Sequence, residues 1–201
     1  MGQELTKSLL LHQKAFGIDL SPDDLSQLNT YYKLLLEHND ILHLVAPCGP
    51  DEFATRHILE SLTMLAYLPQ KAKFVDIGSG GGLPAIPCLI VRRDLRALLI
   101  ESKEKKVGFL RTVFAECELT GRAEAAAKQF SEVTRPRESF ISCRALDKFT
   151  EKLPQLIKWS GNCPRLFFGG PSLETKLVSE GKRFEKQLMP MSDQRYLFII
   201  R

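Results

Sequence analysis

A glycine-rich stretch in the first half of the chain is the segment best suited to bind a ligand. Residues 76–84 read DIGSGGGLP and follow an apolar run. Glycine adopts positive φ without strain and lets a ligand approach the backbone with no Cβ in the way. The pattern predicts a buried strand ending at about Ile77, a tight turn, and a helix beginning near Leu83. Because the first amides of a helix have no internal partner, such a turn attracts an anionic or polar group.

The spacing of the glycines distinguishes two kinds of nucleotide site. A nicotinamide or flavin site prefers G-x-G-x-x-G, and the third glycine would then fall on Leu83. An acidic residue followed by three alternating glycines instead resembles the first motif of the Rossmann-like methyltransferases that use S-adenosylmethionine. These four residues are Asp76, Gly78, Gly80 and Gly82. Such a site needs a second acid after the next strand to bind the ribose hydroxyls, and Glu101 follows the apolar run 97–100 about 20 residues on. If the loop were only a connector, the positions of Asp76 and Glu101 would both be coincidental.

The composition predicts a globular protein without a membrane segment or a metal centre. The 201 residues suit one domain with a sizeable core, and 44% of them are hydrophobic. The formal net charge of +4 is compatible with a polyanionic partner but too small to demonstrate one. The five cysteines form no CxxC pair and no Cys/His cluster, and no secretory segment is recognisable. Reduced thiols in the cytoplasm explain this pattern, and we expect a cytoplasmic monomer.

Helices predominate before the glycine loop. The predicted helices span residues 3–16, 21–39 and 51–68. Because they precede the first strand, they cannot form a βαβ unit, and they act either as packing support or as a lid that faces the substrate. The chain therefore divides into a helical N-terminal extension, residues 1–68, packed on a sheet, and a methyltransferase-type domain, residues 69–201.

Strands alternate with helices after residue 69, which predicts an α/β fold of the Rossmann-like methyltransferase class with a mostly parallel, twisted sheet. The predicted strands are 74–77, 97–101, 123–127, 139–143, 165–168, 186–189 and 196–200, the last two forming a hairpin. The predicted helices are 83–91, 103–118, 146–159 with a break at Pro154, and 173–184. In such a sheet a ligand lies outside the carboxyl ends of the strands, so residues 128–130 should reach the adenine.

A narrower resemblance rests on six segments of the chain: residues 56–61, 76–87, 101–102, 105–106, 109–111 and 142–145. Their order and spacing resemble the RsmG (GidB) family, which methylates N7 of one guanine in the 16S RNA of the small ribosomal subunit. The glycine motif alone would indicate only a broad superfamily. The continuation G-L-P-x-I-P and the segment Arg-His-Ile-Leu make the match specific.

The resemblance implies where the cofactor lies. Gly78 and Leu83 are expected to contact the methionine part of S-adenosylmethionine, and Glu101 its ribose. Gln129 and Phe130 are expected beside the adenine, with Arg144 also at the cofactor. The candidate RNA-binding residues are Arg56, His57, Lys105, Lys106 and Arg111. The chain departs from the usual family residues at His43, Val45, Ala85, Lys128, Cys143 and Gly169.

Methylation of N7 requires positioning rather than acid–base catalysis. N7 of guanine carries an exposed lone pair and no proton, so no general base is needed. Catalysis then consists of holding N7 in line with the methyl group. Arg144 and His57 are the only candidates for a catalytic role. Arg144 binds the cofactor or RNA, or else forms a surface salt bridge; His57 faces the RNA, or else is a satisfied helix histidine.

Cys143 invites comparison with the nucleophile of cytosine-C5 methylases. Those cysteines typically follow a proline, whereas Ser142 precedes this one, so we interpret Cys143 as a small buried thiol. The basic group Lys103, Lys105, Lys106 and Arg111 is either a solvated helix face or a set of phosphate contacts.

Three functions fit the sequence. The favoured hypothesis is an S-adenosylmethionine-dependent methyltransferase that modifies N7 of a guanine in 16S ribosomal RNA. The first alternative is a methyltransferase of the same fold that acts on another RNA or on a small molecule. The second alternative is a non-catalytic, cofactor-binding RNA partner in ribosome assembly. The chain lacks the Asn/Asp-Pro-Pro-aromatic motif of amino-group methylases, which agrees with N7 but would equally fit an inactive binder.

Overall fold

A seven-stranded sheet lies at the centre of the computed structural model, which describes residues 2–135, 137, 139–144 and 149–201. The strands are β1 (Lys73–Ile77), β2 (Arg96–Glu101), β3 (Ala123–Ala127), β4 (Ser139–Arg144), β5 (Arg165–Gly169), β6 (Glu185–Leu188) and β7 (Tyr196–Ile200). Their order in the sheet is β3-β2-β1-β4-β5-β7-β6. The strands from β3 to β5 pair in parallel, whereas β7 runs antiparallel to β5 and β6. The predicted mostly parallel α/β sheet with a terminal hairpin is confirmed.

Helices precede the sheet and connect its strands. They are α1 (Gly2–His12), α2 (Pro22–Leu42), α3 (residues 50–67), α4 (Ala85–Val91), α5 (Glu104–Glu116), α6 (Phe149–Ser160) and α7 (Pro171–Ser179). A capping box between Ser21 and Asp24 begins α2, with Pro22 at its first position. The helical stretch α3 is π-helical over Phe53–Leu59 and ends as a 3-10 helix.

Helices α4, α6 and α7 differ from their predictions. Helix α4 begins at Ala85 rather than near Leu83, because the glycine loop extends through Pro84. Helix α6 continues through Pro154 without a break, and Pro154 is exposed, so water can reach the carbonyl that its ring leaves unpaired. The predicted start of that helix at residue 146 lies outside the described residues. Helix α7 begins at Pro171 and ends at Ser179, well before residue 184, because Gly181 with φ +63° turns the chain away.

Alternate side chains of β1 enter two different cores. Phe74 packs in one hydrophobic cluster together with Leu35 of α2 and Phe53 of α3. Val75 and Ile77 belong to a second cluster, which also contains side chains of α6 and α7. A strand that is buried on both faces reads as a continuous apolar run, which explains its clear signal in the sequence. Helices α2 and α3 thus share a core with one face of the sheet, and the division of the chain at residue 68 stays a prediction.

Candidate active site

A cleft of about 590 Å³ opens at the carboxyl ends of β1, β2 and β4. Open α/β sheets bind their ligands at this edge, and the volume lies within the range of ~300–1,000 Å³ that is usual for small-molecule sites. Its lining comes from residues 43–46 between α2 and α3, 78–81 of the glycine loop, 100–103 at the end of β2 and 128–130 after β3. His57 of α3, Arg144 of β4 and four further residues also line it: Ile77, Leu83, Lys106 and Lys152.

The structure places most of the predicted cofactor residues at this cleft. The residues that line it are Gly78, Gly80, Leu83, Glu101, Gln129, Phe130 and Arg144. Asp76 and Gly82 lie behind the lining instead, where they shape the loop. Leu83, the predicted first residue of the helix, lies in the loop, and no residue of α4 is in the described lining of the cleft. The contacts of these residues with a cofactor stay predictions.

The glycine loop is held by backbone hydrogen bonds. The amide groups of Gly78 and Ser79 both donate to the carbonyl of Ile100, at 2.8 and 3.2 Å. The φ angles of Gly78, Gly80 and Gly82 are +70°, +53° and +93°. A Cβ on Gly82 would lie 2.3 Å from Cγ1 of Ile86, whereas a Cβ on Gly80 would have no neighbour closer than 3.8 Å. Gly82 therefore permits close packing of α4, and Gly80 leaves the backbone open to the cleft.

Glu101 presents a carboxylate that is fixed by the backbone around it. Its Oε2 accepts a hydrogen bond from the Gly80 amide at 3.0 Å, and its Oε1 accepts one from the Lys103 amide at 2.9 Å. The side chain is buried yet lines the cleft. A carboxylate has about four lone-pair positions, of which the two amides use two. The Ser102 hydroxyl also donates to Oε1, at 3.4 Å, but it can rotate away, so two positions can accept hydroxyl groups of a ligand. The arrangement suits a ribose diol.

Asp76 is a fully buried acid behind the glycine loop. Its Oδ1 accepts a hydrogen bond from the Ser142 hydroxyl at 2.7 Å, while its Oδ2 has no hydrogen-bond partner among the described residues. Burial raises the pKa of Asp76 to about 7, although the hydrogen bond from Ser142 and the nearby Ser79 hydroxyl lower it. The residue joins β1 to β4 directly beneath the cleft, and its role is to fix the two strand ends.

We expect the stability difference between the wild type and Asp76→Asn to depend on pH. The pKa of Asp76 is about 7 in the folded protein and about 4 in an unfolded chain. Below about pH 4 the carboxyl is protonated in both states, so the wild type keeps its full stability. As the pH rises to about 7, only the unfolded state loses the proton, and the wild type loses a few kcal/mol that the variant does not lose. Denaturant unfolding of both proteins between about pH 4 and pH 8 measures this. If the unfolding free energies of the two proteins changed in parallel with pH, the pKa of Asp76 would not be raised in the folded state.

The segment 43–46 forms a wall of the cleft that the sequence did not assign. The Asn39 side chain organises it: Oδ1 accepts hydrogen bonds from the Leu44 and Val45 amides at 2.9 and 3.0 Å, and Nδ2 donates to the Val45 carbonyl at 3.0 Å. Lys106 adds a bond from Nζ to the His43 carbonyl at 3.1 Å. His43 and Val45 stood out in the sequence only as departures from the family pattern. The asparagine at the predicted end of the helix, Asn39, was the remaining signal.

Tyr31 links helix α2 to the glycine loop, and its loss has a measurable effect. Its buried hydroxyl donates to the Gly81 carbonyl at 2.8 Å. Tyr31→Phe leaves that carbonyl without its donor, so we expect unfolding to become easier by about 1 kcal/mol. Denaturant unfolding measures the change. The control is Tyr32→Phe on the same helix, whose hydroxyl donates no hydrogen bond in the described part of the chain. Equal effects of the two substitutions would contradict the link.

Arg144 is held by helix α3. Its terminal nitrogens donate to the Arg56 carbonyl at 2.5 Å, to Oγ of Ser61 at 3.3 Å and to Oε2 of Glu60 at 3.5 Å. The other oxygen of Glu60 accepts a hydrogen bond from Nε of Arg195 at 2.7 Å. Burial lowers the pKa of Arg144, and Glu60 opposes this change. The predicted alternative of a surface salt bridge is wrong, because Glu60 is only 3% exposed and Arg144 14%.

His57 lines the cleft as a neutral side chain. Burial, together with the positive charges of Arg144, Arg56 and Arg195, lowers its pKa to about 4. Its Nδ1 is buried and has no hydrogen-bond partner among the described residues. The alternative that His57 is a helix histidine with all its hydrogen bonds made is therefore wrong for Nδ1. A neutral imidazole with a low pKa is a poor proton donor at neutral pH.

The remaining candidate RNA-binding residues divide between the cleft and the outer surface. Lys106 lines the cleft, whereas Arg56, Lys105 and Arg111 are exposed outside its lining. Arg56 pairs with Glu52 one turn away, and Nη1 of Arg111 lies 3.7 Å from a carboxylate oxygen of Glu104. Three other lysines line the cleft: Lys103, which belongs to the basic group noted in the sequence, and Lys128 and Lys152, which were not considered for RNA binding. Isolated lysines separated by up to 49 positions give no local pattern that would have grouped them.

Cys143 belongs to the core rather than to the cleft. It is fully buried in the hydrophobic cluster that contains Ile77 and Phe167. It is absent from the described lining of the cleft, which agrees with its interpretation as a buried thiol. Within the described ranges, no group of three or more His, Cys, Asp or Glu side chains is arranged to hold a metal ion. None of the described helices combines the length and apolar character needed to cross a membrane.

Solved methyltransferases share the fold of this chain. The ribosomal protein L11 methylase from Lactobacillus delbrueckii subsp. bulgaricus superposes with a TM-score of 0.58 at 14% identity, over 73% of this chain and 78% of that one. TrmK from M. capricolum, solved in complex with the cofactor product S-adenosyl-homocysteine, gives a TM-score of 0.54 at 15% identity, over 70% of this chain and 66% of that one.

Sequence relatives identify the family. The ribosomal RNA small subunit methyltransferase G of Sorangium cellulosum is 40% identical over 184 residues, covering 89% of this chain and 73% of the relative. The protein of that name in Desulforamulus reducens is 31% identical over 191 residues, covering 90% of this chain and 79% of the relative. The sequence model of GidB, described as rRNA small subunit methyltransferase G, matches residues 24–187. The chain therefore belongs to the GidB family of small-subunit ribosomal RNA methyltransferases.

Proposed function

We propose that this protein transfers a methyl group from S-adenosylmethionine to N7 of a guanine in 16S ribosomal RNA. Its family consists of small-subunit ribosomal RNA methyltransferases, and its sheet has the topology of proteins that bind this cofactor. The observation that carries the proposal is the carboxylate of Glu101, fixed at the wall of a glycine-lined cleft at the ends of β1 and β2.

The chemical groups around the cleft fit S-adenosylmethionine. The unused lone pairs of Glu101 match the two ribose hydroxyls. Gln129 and Phe130 provide an amide and an aromatic ring for the adenine, and Gly78 and Leu83 remain for the methionine part. The open space beside the Gly80 Cα allows a ligand to contact the backbone there. These assignments account for the acid, the glycines and the apolar lining together.

Methyl transfer to N7 requires correct orientation of the two reactants but no general base. S-adenosylmethionine supplies a methyl group on a positively charged sulfur, and transfer to the N7 lone pair leaves a neutral thioether and moves the charge to the guanine. No proton is released, because N7 carries none. The low pKa of His57 and the burial of Asp76 behind the loop agree with this chemistry, since His57 is a weak base and Asp76 does not line the cleft. The protein contributes by holding the two reactants at attack distance.

Lysines at the cleft are expected to contribute to RNA binding. Lys103 and Lys152 line the cleft without an ion-pair partner among the described residues. The double variant Lys103→Ala/Lys152→Ala is expected to bind small-subunit RNA more weakly, and its plot of log K against log salt should become shallower by roughly 1–2 units, because each phosphate contact releases counterions. Filter binding over a salt series measures this. The control Lys7→Ala/Lys14→Ala removes the same charge from two exposed positions near the N-terminus that do not line the cleft. Equal slopes for both double variants would contradict the contact.

We further propose that the protein acts as a monomer in the cytoplasm, with residues 1–68 as a helical extension on the sheet. The described cysteines form no disulfide bond, which agrees with a reducing compartment. The extension supports the site through Tyr31 and the segment 43–46, so it acts as packing support and also reaches the cleft.

Methyl transfer to small subunits from a strain that lacks the enzyme tests the proposed function. Labelled S-adenosylmethionine is supplied, and the nucleosides of the 16S RNA are separated and identified by mass spectrometry. We expect label in 7-methylguanosine. Cofactor binding without incorporation would indicate a non-catalytic partner of ribosome assembly. Label in another nucleoside or another molecule would indicate a methyltransferase with a different substrate.

A further inference from the structure

A second cavity, of about 320 Å³, lies beside the cofactor cleft and shares Arg144 with it. It opens at the carboxyl ends of β4 and β5 and is bounded by the connection between β6 and β7. Its chemically distinctive lining residues are Glu60, Arg144, Phe149, Phe168, Arg195 and Tyr196. The cavity thus combines aromatic walls with two cations and one acid.

We propose that this cavity receives the guanine base that is methylated, an inference that rests on the function proposed above. A base in folded RNA must leave its stack to meet a methyl donor, and enzymes that modify bases hold the extruded base in a pocket with aromatic or apolar walls. The volume lies at the lower end of the range of ~300–1,000 Å³ for small-molecule sites, which suits a single base. Because Arg144 borders both spaces, a base in this cavity lies next to the cofactor cleft.

The aromatic side chains provide the faces for stacking. Phe168 is buried at the end of β5, and its ring lies 5.8 Å from Cζ of Arg144. Tyr196 is partly buried at the start of β7, and Phe149 is partly buried at the start of α6. Rings from three separate elements therefore surround one space. Unstacked bases bind to such rings in RNA-recognition sites generally.

Arg195 supplies a donor that distinguishes guanine from adenine. Its Nε donates to Glu60, which orients the guanidinium, and its two terminal nitrogens have no hydrogen-bond partner among the described residues. Guanine carries the acceptor O6 where adenine carries an amino group, so a donor here favours guanine. Arginine often binds both O6 and N7, but N7 must stay free for methylation. Arg144, which lies nearer the cleft, uses its terminal nitrogens on Arg56, Glu60 and Ser61 and does not need N7 as an acceptor.

The first test removes the proposed donor. Arg195→Ala is expected to lower kcat/KM for methylation of guanine N7 in purified small subunits by roughly tenfold or more, the size of one lost charged hydrogen bond. The preference for guanine over adenine at the target position should narrow as well. The affinity for S-adenosylmethionine, measured by calorimetry, should not change. The control Arg183→Ala removes an exposed arginine from the opposite end of β6.

The second test fills the cavity without touching the ion pairs. Ser172 is exposed on α7 and lines the cavity, so Ser172→Phe places a ring inside it. We expect methyl transfer to fall at least tenfold while cofactor affinity is retained, because the base is excluded by volume. The control Ser179→Phe makes the same change at the far, exposed end of the same helix. This variant keeps the proposal testable even if Arg195→Ala fails to fold.

The outcomes distinguish a wrong assignment of the base site from a wrong proposed function. If the wild type methylates guanine N7 and neither Arg195→Ala nor Ser172→Phe changes its kinetics, the cavity is not the base site, although the proposed function stands. If the wild type forms no 7-methylguanosine, the proposed function fails first. A loss of cofactor affinity in Ser172→Phe equal to its loss of activity would also overturn the assignment, because the cavity would then belong to the cofactor.

Discussion

Replacing Glu101 by alanine is expected to lower the affinity for S-adenosylmethionine about 100-fold. The carboxylate is proposed to accept two hydrogen bonds from the ribose diol, and a hydrogen bond to a charged group contributes about 1.5 kcal/mol or more. Two such bonds amount to about 3 kcal/mol, or two factors of ten in the dissociation constant. The Gly80 and Lys103 amides that now bind Glu101 also lose their acceptor, which loosens the loop. Isothermal titration of the variant with the cofactor measures the change.

Glu124→Ala is the matched control for this substitution. Glu124 lies on the neighbouring strand β3, where its side chain is exposed and away from the cleft lining. It should bind the cofactor like the wild type. Thermal unfolding of apo Glu101→Ala must show that the variant is folded at the temperature of titration. A folded variant with unchanged affinity would remove Glu101 from the ribose, and with it the observation on which the proposed function rests.

The elements of the sheet could be predicted because each is encoded locally. Strand β1 carries three apolar side chains, Phe74, Val75 and Ile77, because both of its faces are buried, and positions 74–77 therefore stood out without any knowledge of their partners. Strand β3 was predicted with its observed ends, Ala123 and Ala127. The acid at the end of β2 was found by its distance from the glycines. In each case a short pattern carried the information, and the parallel sheet followed from the alternation of elements.

The parts that escaped prediction depend on contacts between distant positions. The bond from Tyr31 to Gly81 spans 50 positions, and the bond from Arg195 to Glu60 spans 135. Neither residue has a neighbour in the sequence that reveals its partner. The wall at residues 43–46 depends on one side chain, Asn39, whose hydrogen bonds replace a regular element. Asp76 was predicted to bind the cofactor because it begins the motif. The parallel register of β1 and β4 places it opposite Ser142, behind the cleft lining, and its contact with a cofactor stays a prediction.

Replacing Gly80 or Gly82 of the same motif by alanine is expected to affect the protein in different ways. At Gly82 the new Cβ would lie 2.3 Å from Ile86, and φ is +93°, so strain and overpacking together should cost about 3–5 kcal/mol of stability. At Gly80 the space is open and φ is +53°, so Gly80→Ala should cost only about 1–2 kcal/mol.

Cofactor affinity should separate the two variants further. Gly80 lines the cleft, so its new methyl group occupies space beside the ligand, and binding should weaken about tenfold or more in a protein that stays folded. Gly82→Ala, where it still folds at low temperature, should bind with nearly the wild-type affinity, because Gly82 faces Ile86 and Leu110 rather than the cleft. Denaturant unfolding measures the stability of each variant, and calorimetry measures its affinity for the cofactor. The reverse assignment, a stable Gly82→Ala that cannot bind, would mean that the third glycine of the motif serves the ligand and that the packing of α4 does not require it.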